Sequence, residues 1–221
     1  MSNPLAPLFP PFGLTLRAGD LTLRLLRDED LPEYAELLTR PIFPDEDADH
    51  VFPWYLGDPE ARVRNALMFQ WTKRAEVAPE RWNLTLGIWA QGGLIGSQDV
   101  NATDFPRRRV VSSGSWLTLD AHGRGYGKLM RQMILVLAFD HLGALRAESA
   151  AVLGNAPSFG VSRACGYEAD GTEVVIERDR RLVHQRFSVT PQTVVRPAVP
   201  VEVEGLSPEL RAMLGAPEPA L

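Results

Sequence analysis

The stretch Ser115-Trp116-Leu117-Thr118-Leu119-Asp120-Ala121-His122-Gly123-Arg124-Gly125-Tyr126-Gly127-Lys128 holds the residues whose types and spacing suit chemistry best. Glycines alternate at 123, 125 and 127. Without Cβ atoms, successive backbone N–H groups in such a turn can converge on one anion. A helix that starts here adds unpaired N–H groups and roughly half a positive charge. Arg124 and Lys128 add full charges. Together these residues describe a cradle for a diphosphate, which is more than a helix start in need of flexible residues would require.

Two common phosphate sites do not fit. The dinucleotide fingerprint needs a third glycine three residues after the second, where Lys128 stands. A P-loop needs Gly-Lys followed by Ser or Thr and a glycine at position 122; here Leu129 follows and His122 precedes.

The cradle needs a strand before it and a helix after it. Residues 110–119 read as the strand. From Gly125 the period becomes 3.6: Tyr126, Leu129, Met130, Met133, Ile134, Leu137 and Ala138 form one apolar stripe, and Gly143 stops it. Upstream, residues 14–17 and 21–26 flank the turn Ala18-Gly19-Asp20 as two strands. Asp28 or Asp30 can cap a helix through Leu31, Tyr34, Ala35 and Leu38. A proline-rich loop fills 40–60, and a second helix starts near Pro59. Residues 82–89 and 94–100 flank Ala90-Gln91-Gly92-Gly93 as a hairpin. Downstream come an extended segment at 144–153, a short helix at 156–165, strands at 173–178 and 182–189, and a Pro/Val-rich appendage with a helical turn after Ser207-Pro208-Glu209.

Length and composition bound the rest. With 221 residues, 45% hydrophobic and 23% charged, the chain suits one α/β or α+β domain with extensions. A net charge of -5 argues against nucleic-acid binding. No run of 18 apolar residues suggests a membrane span, and Met1 to Pro11 has no signal-peptide pattern. The lone Cys165 fits a reducing, cytoplasmic setting and reads as a small core residue. Four scattered histidines give no metal site.

His122-Gly123-Arg124-Gly125-Tyr126-Gly127 resembles the Gln/Arg-x-x-Gly-x-Gly/Ala signature of the GNAT superfamily of N-acyltransferases, with His122 where Gln or Arg is usual. Gly114-Ser115-Trp116-Leu117 before the loop, Asn155-Ala156-Pro157-Ser158 with Gly166-Tyr167 after it, and the earlier Leu21-Thr22-Leu23-Arg24 and Leu94-Ile95-Gly96 are similar to the RimJ/RimL branch, which acylates protein N-termini and small amines. The resemblance covers about 14–190, leaving an arm at 1–13 and a C-terminal extension at 191–221. It implies a mixed sheet of six to seven strands with helices on both faces, and a parallel strand pair that splays apart to admit coenzyme A. A homodimer is a further expectation.

The resemblance also implies roles. Gly123, Arg124, Gly125, Gly127 and Lys128 would hold the diphosphate of acetyl-CoA or another acyl-CoA. Trp116, Leu117, Thr118 and Leu119 would meet its pantetheine arm through backbone groups, one of them facing the thioester carbonyl. Asn155 would hydrogen-bond the same arm, or cap the helix that starts near Pro157, or both. Ser158 would protonate the departing thiolate, or serve the backbone of the first helical turn; the tyrosine that other branches use for this task is replaced by Ser162. A base is also needed, because an alkylammonium must lose its proton before attack. Relatives carry a carboxylate where this chain has Ser112-Ser113, so Asp99, Asp104 and Glu148 are the candidates.

Two charge runs stay open between solvated loops and function. Asp45-Glu46-Asp47-Ala48-Asp49, with Phe52, Trp54 and Tyr55 nearby, could draw in a cationic acceptor. Arg107-Arg108-Arg109 could grip an acidic acceptor or the free carboxylate of a succinyl donor. The expected activity is acyl transfer from a CoA thioester to a primary amine; the alternative is a sensor that binds acyl-CoA without turnover.

Overall fold

The computed structural model describes residues 3–46, 48, 50–52, 54–56, 58–177 and 180–218. Asp47 and Asp49 of the acidic run, and Arg178 of an expected strand, lie outside the described residues.

Two hairpins begin the sheet. Strands β1 (Thr15–Ala18) and β2 (Leu21–Leu25) pair antiparallel, as do β3 (Arg81–Ala90) and β4 (Gly93–Thr103). Between them lie helices α1 (Leu31–Leu37) and α2 (Pro59–Ala75). Helix α2 starts where Asp58 accepts the Ala61 N–H at 3.0 Å and Pro59 takes the first turn, as N-terminal helix chemistry favours. A single turn, α3 (Phe105–Arg108), leads into β5 (Val110–Ser112) and β6 (Ser115–Leu117). Helix α4 (Tyr126–Val136), extended by a π-helical turn at Leu137–His141, crosses to β7 (Arg146–Val152). Then come α5 (Ala156–Ala164), the hairpin β8 (Glu168–Glu177) and β9 (Arg180–Val189), β10 (Glu202–Glu204) and α6 (Pro208–Leu214).

The strands form one mixed sheet in the order β10-β1-β2-β3-β4-β5-β7-β9-β8, with β6 also on β4. All neighbours are antiparallel except β5 and β7. The sheet is wider than six or seven strands because the opening hairpin supplies β1 as well as β2, 110–117 divides into two, and the C-terminal extension adds β10 beside β1. Alternation along β3 buries Leu84, Leu86 and Ile88 completely in the main core, with Met133, Ile134 and Leu137 from α4 and its extension. On the other face Tyr34 and Leu37 of α1, with Val63 and Leu67 of α2, pack toward Trp89 and Trp116. Helices therefore cover both faces.

The extension beyond 190 is not the loose appendage that its composition suggests. Leu210 and Leu214 are fully buried in the main core, and the Trp82 indole donates to the Leu214 carbonyl at 3.0 Å. Among the described residues, no helix is long and apolar enough to cross a membrane, and no three His, Cys, Asp or Glu side chains gather as metal ligands.

Candidate active site

The site is built around a fork. Over Val110↔Arg146, Val111↔Ala147 and Ser112↔Glu148, β5 and β7 run side by side. The Ser113 N–H still reaches the Glu148 carbonyl at 3.3 Å. Beyond that, β6 follows β4 while β7 follows β9, and the two part. Asp99 of β4 sits at the branch. Its backbone N–H donates to the Gly114 carbonyl at 2.9 Å, but the Gly114 N–H is taken by the Asp99 carboxylate rather than by a backbone carbonyl. The side chain thus wedges into the ladder without shifting the register. The amides of Asn83 and Asn101 donate to its other oxygen at 3.2 and 3.3 Å. Burial raises the proton affinity of Asp99, and the three donors and the charge of Arg131 oppose that rise.

The free edge of the fork follows from strand alternation. The Thr118 N–H donates to the Ile95 carbonyl at 2.9 Å, so Trp116 and Thr118 turn their backbone groups toward β4. Leu117 turns its own toward the gap. Its carbonyl accepts from His122 Nε2 at 3.1 Å, which makes that ring nitrogen a donor and leaves the Leu117 N–H facing the gap. The Leu119 N–H is occupied by the Pro41 carbonyl at 2.8 Å. Of the four residues expected to offer backbone groups, Leu117 alone points one at the gap. Gly96 is what lets β6 lie so close to β4: a Cβ there would stand 2.2 Å from the Trp116 carbonyl oxygen.

The gap leads to the glycine turn. Gly123 and Gly125 have φ of 73° and 82°, and a Cβ at either would meet nothing within 4 Å, so the turn faces open space. Gly125 is the N-cap of α4. Arg124 and Lys128 are exposed beside it, and the Tyr126 hydroxyl donates to Asp20 at 3.0 Å, tying the turn to the first hairpin. That backbone nest, helix terminus and cation pair fit a diphosphate. Gly127 does other work: a Cβ there would come within 3.3 Å of Val161, so it lets α4 and α5 pack closely.

Across the gap, Asn155 caps α5, its side-chain oxygen accepting the Ser158 N–H at 3.1 Å. Ser158 is half-buried in that first turn. Asp104 is not brought to the fork. It lies five residues beyond Asp99 on β4, at φ 50°, with its carboxylate 3.3 Å from Arg107. Glu148 flanks the branch but is held by Arg146 Nε at 3.0 Å. The arginine run sits at the far end of β5. Arg107 is 85% exposed, and Arg109 donates to the Gly143 carbonyl. Cys165 is fully buried, its thiol pushed up to about 11 by burial, so it is no nucleophile at neutral pH.

On the α1–α2 face, Asn83 and Asn101 also line an open cavity of about 230 Å³ with Lys73, Glu76, Arg81 and Thr103. Asp99 therefore lies between this cavity and the fork. Residues 43–55 place Phe43, Phe52, Trp54 and Tyr55 in mutual ring contact, and Trp54 meets Trp116 of β6 with ring centres 5.7 Å apart. Tyr55 donates to Glu46 at 2.8 Å. Sequence reasoning missed Arg131, Ser149 and Tyr167 beneath the fork. Arg131 flanks an apolar stripe and reads as a surface residue, and no local pattern marks its reach to Ser149 of β7 and to Tyr167.

A parallel strand pair that splits at a glycine turn on a helix N-terminus defines the GNAT fold. Residues 20–168 match the model of the acetyltransferase (GNAT) domain family, and the chain belongs to that family. The structure is similar to Mycobacterium smegmatis RimJ in complex with CoA-disulfide (TM-score 0.65, 19% identity, 80% of this chain and 86% of that one). It is also similar to a putative ribosomal-protein-serine acetyltransferase from Vibrio cholerae (0.60, 17%, 80% and 97%). A third likeness is a chimera of the spermidine N-acetyltransferase SpeG from Vibrio cholerae and hSSAT (0.58, 15%, 78% and 96%).

Proposed function

We propose that this chain transfers an acyl group from a coenzyme A thioester directly to a primary amine, of a protein N-terminus or a small molecule, in the manner of the RimJ/RimL branch. The observation that carries the reading is the continuous path from the open glycine turn, along the free edge of β6, to the branch at Ser113 and Gly114. Gly123, Gly125, Arg124 and Lys128 would hold the diphosphate, and the Leu117 N–H would meet a carbonyl of the arm. A bound acyl-CoA supplies an activated acyl carbon and a thiolate leaving group.

The remaining steps fall to the chain. A backbone donor on the β6 edge, fixed before reaction, stabilises negative charge developing on the acyl oxygen. Asp99 is the carboxylate at the branch, and it accepts from Asn83 and Asn101, which line the cavity on the opposite face. Burial makes it a stronger base than a solvated aspartate. It would take the ammonium proton, directly or through a water. Ser158, in the first turn of α5, would return a proton to the thiolate. Cytoplasmic work suits a CoA substrate and a lone buried thiol.

Release of free thiol from acetyl-CoA and other acyl-CoAs, measured over a panel of amines and peptides, tests this reading. Acceptor-dependent release is expected. Tight CoA binding with no release on any acceptor would favour the sensor instead.

A further inference from the structure

Beneath the branch, on the α4 side, the protein buries polar groups that it satisfies only in part. Gln98, Ser113, Arg131, Ser149, Ser162 and Tyr167 are each 7% exposed or less. Arg131 leaves α4 and donates to Ser149 Oγ at 3.1 Å, one residue past the last β5–β7 pair. Its guanidinium lies 5.7 Å from the centre of the Tyr167 ring, and the Tyr167 hydroxyl faces Arg131 and Ser113. Arg131 Nε, both ends of the Gln98 amide and the hydroxyl of Ser162 lack hydrogen-bond partners. Among the described residues Arg131 makes no ion pair.

A guanidinium has five N–H donors and no acceptor, and burying it is costly unless an anion meets it; Asp99 feels its charge from a distance, but among the described residues no carboxylate pairs with it directly. The hydroxyls of Tyr167 and Ser113 beside it can each donate a hydrogen bond as well as accept one. A methyl group would gain nothing from such surroundings, whereas a carboxylate offers about four lone pairs and the planar geometry that a guanidinium matches. The arginine run at 107–109 cannot take this part, because it stands at the far end of β5 from the branch.

We infer that the fork selects an acyl chain ending in a carboxylate, the half-thioester of a short dicarboxylic acid, and that Arg131 binds that carboxylate against Ser113 and Tyr167. The inference rests on the acyl-CoA reading and narrows its donor.

The test is equilibrium binding by titration calorimetry without any acceptor. Wild-type protein is titrated with CoA, with succinyl-CoA and with butyryl-CoA, which has a chain of the same length without the charge. Succinyl-CoA should bind about tenfold or more tightly than butyryl-CoA. In Arg131→Met that ratio should fall to about one, and in Arg131→Lys, which keeps the charge and loses the planar fork, to a value between. Equal wild-type affinities for the two thioesters overturn the inference, with no variant needed. A preference that persists in both variants also overturns it. Failure of CoA itself to bind overturns the acyl-CoA reading and this inference together, whereas CoA binding without a carboxylate preference overturns the inference alone.

Discussion

Residues 110–112 have a partner strand on each side, whereas 115–117 have one on β4 only. The two triplets lie three residues apart and belong to one extended run of chain. Between them the ladder to β4 changes at one point, where the Gly114 N–H goes to the Asp99 carboxylate while the register is kept, and on the other side the pairing with β7 ends. The closed end contributes rigidity, and the open end contributes an unpaired edge next to a turn rich in N–H groups.

The contrast can be broken from the open end first, with the largest expected effect. Gly125→Val puts a branched side chain at φ 82° and into the space a diphosphate would occupy. CoA affinity, read by calorimetry, should fall by about a hundredfold or more, which corresponds to roughly 2.7 kcal/mol. Next, Gly96→Ala drives a Cβ into the Trp116 carbonyl and Leu117 backbone, prying β6 from β4. Chemical denaturation should show a loss of about 1–3 kcal/mol, the range for overpacking a filled site, together with weaker CoA binding.

Replacing the wedge sharpens the comparison. Asp99→Ala takes the shared acceptor away from the exposed Gly114 N–H and from two half-buried amides and should cost about 0.5–1.5 kcal/mol. Asp99→Asn keeps an acceptor for Gly114, so it should preserve CoA binding while lowering kcat about 10²-fold or more if the carboxylate is the base. The folded state holds the Asp99 proton more tightly than the unfolded chain, because burial raises its pKa above 3.8. Its contribution to stability is present below that value and lost as pH rises through the raised folded value. Across that window the stability of wild type relative to Asp99→Asn should decline with rising pH, as followed by thermal unfolding. The smallest effect belongs to the closed end: Arg107→Ala and Arg108→Ala, on exposed side chains, should each change stability by less than about 0.5 kcal/mol and leave CoA affinity unaltered.

The glycine turn and α4 are legible in the sequence because their signals are local: alternating glycines and an apolar stripe of helical period. The hairpins of β1–β2 and β3–β4 are legible for the same reason. The fork was reached through the family resemblance, since nothing in 110–119 alone marks a break at Ser113. The Asp99 wedge, the His122 bond to Leu117 and the Pro41 cap on Leu119 join residues whose proximity only the fold creates. The tail was misjudged on composition. Leu210 and Leu214 are a single i, i+4 pair in a seven-residue helix, too short for periodicity to reveal a buried face. Arg131 was hidden by the reverse effect, a charged residue beside an apolar stripe that the fold buries against Ser149 and Tyr167.

Residue-resolved amide exchange by NMR, with and without saturating CoA, addresses the free edge of β6 most directly. Exchange of the Leu117 N–H should slow at least about tenfold on binding, the signature of a new hydrogen bond at that edge, while Trp116 and Thr118, already bonded to β4, should change little. An unchanged Leu117 amide in a protein that still binds CoA would mean that the ligand lies elsewhere and that the fork is not its site.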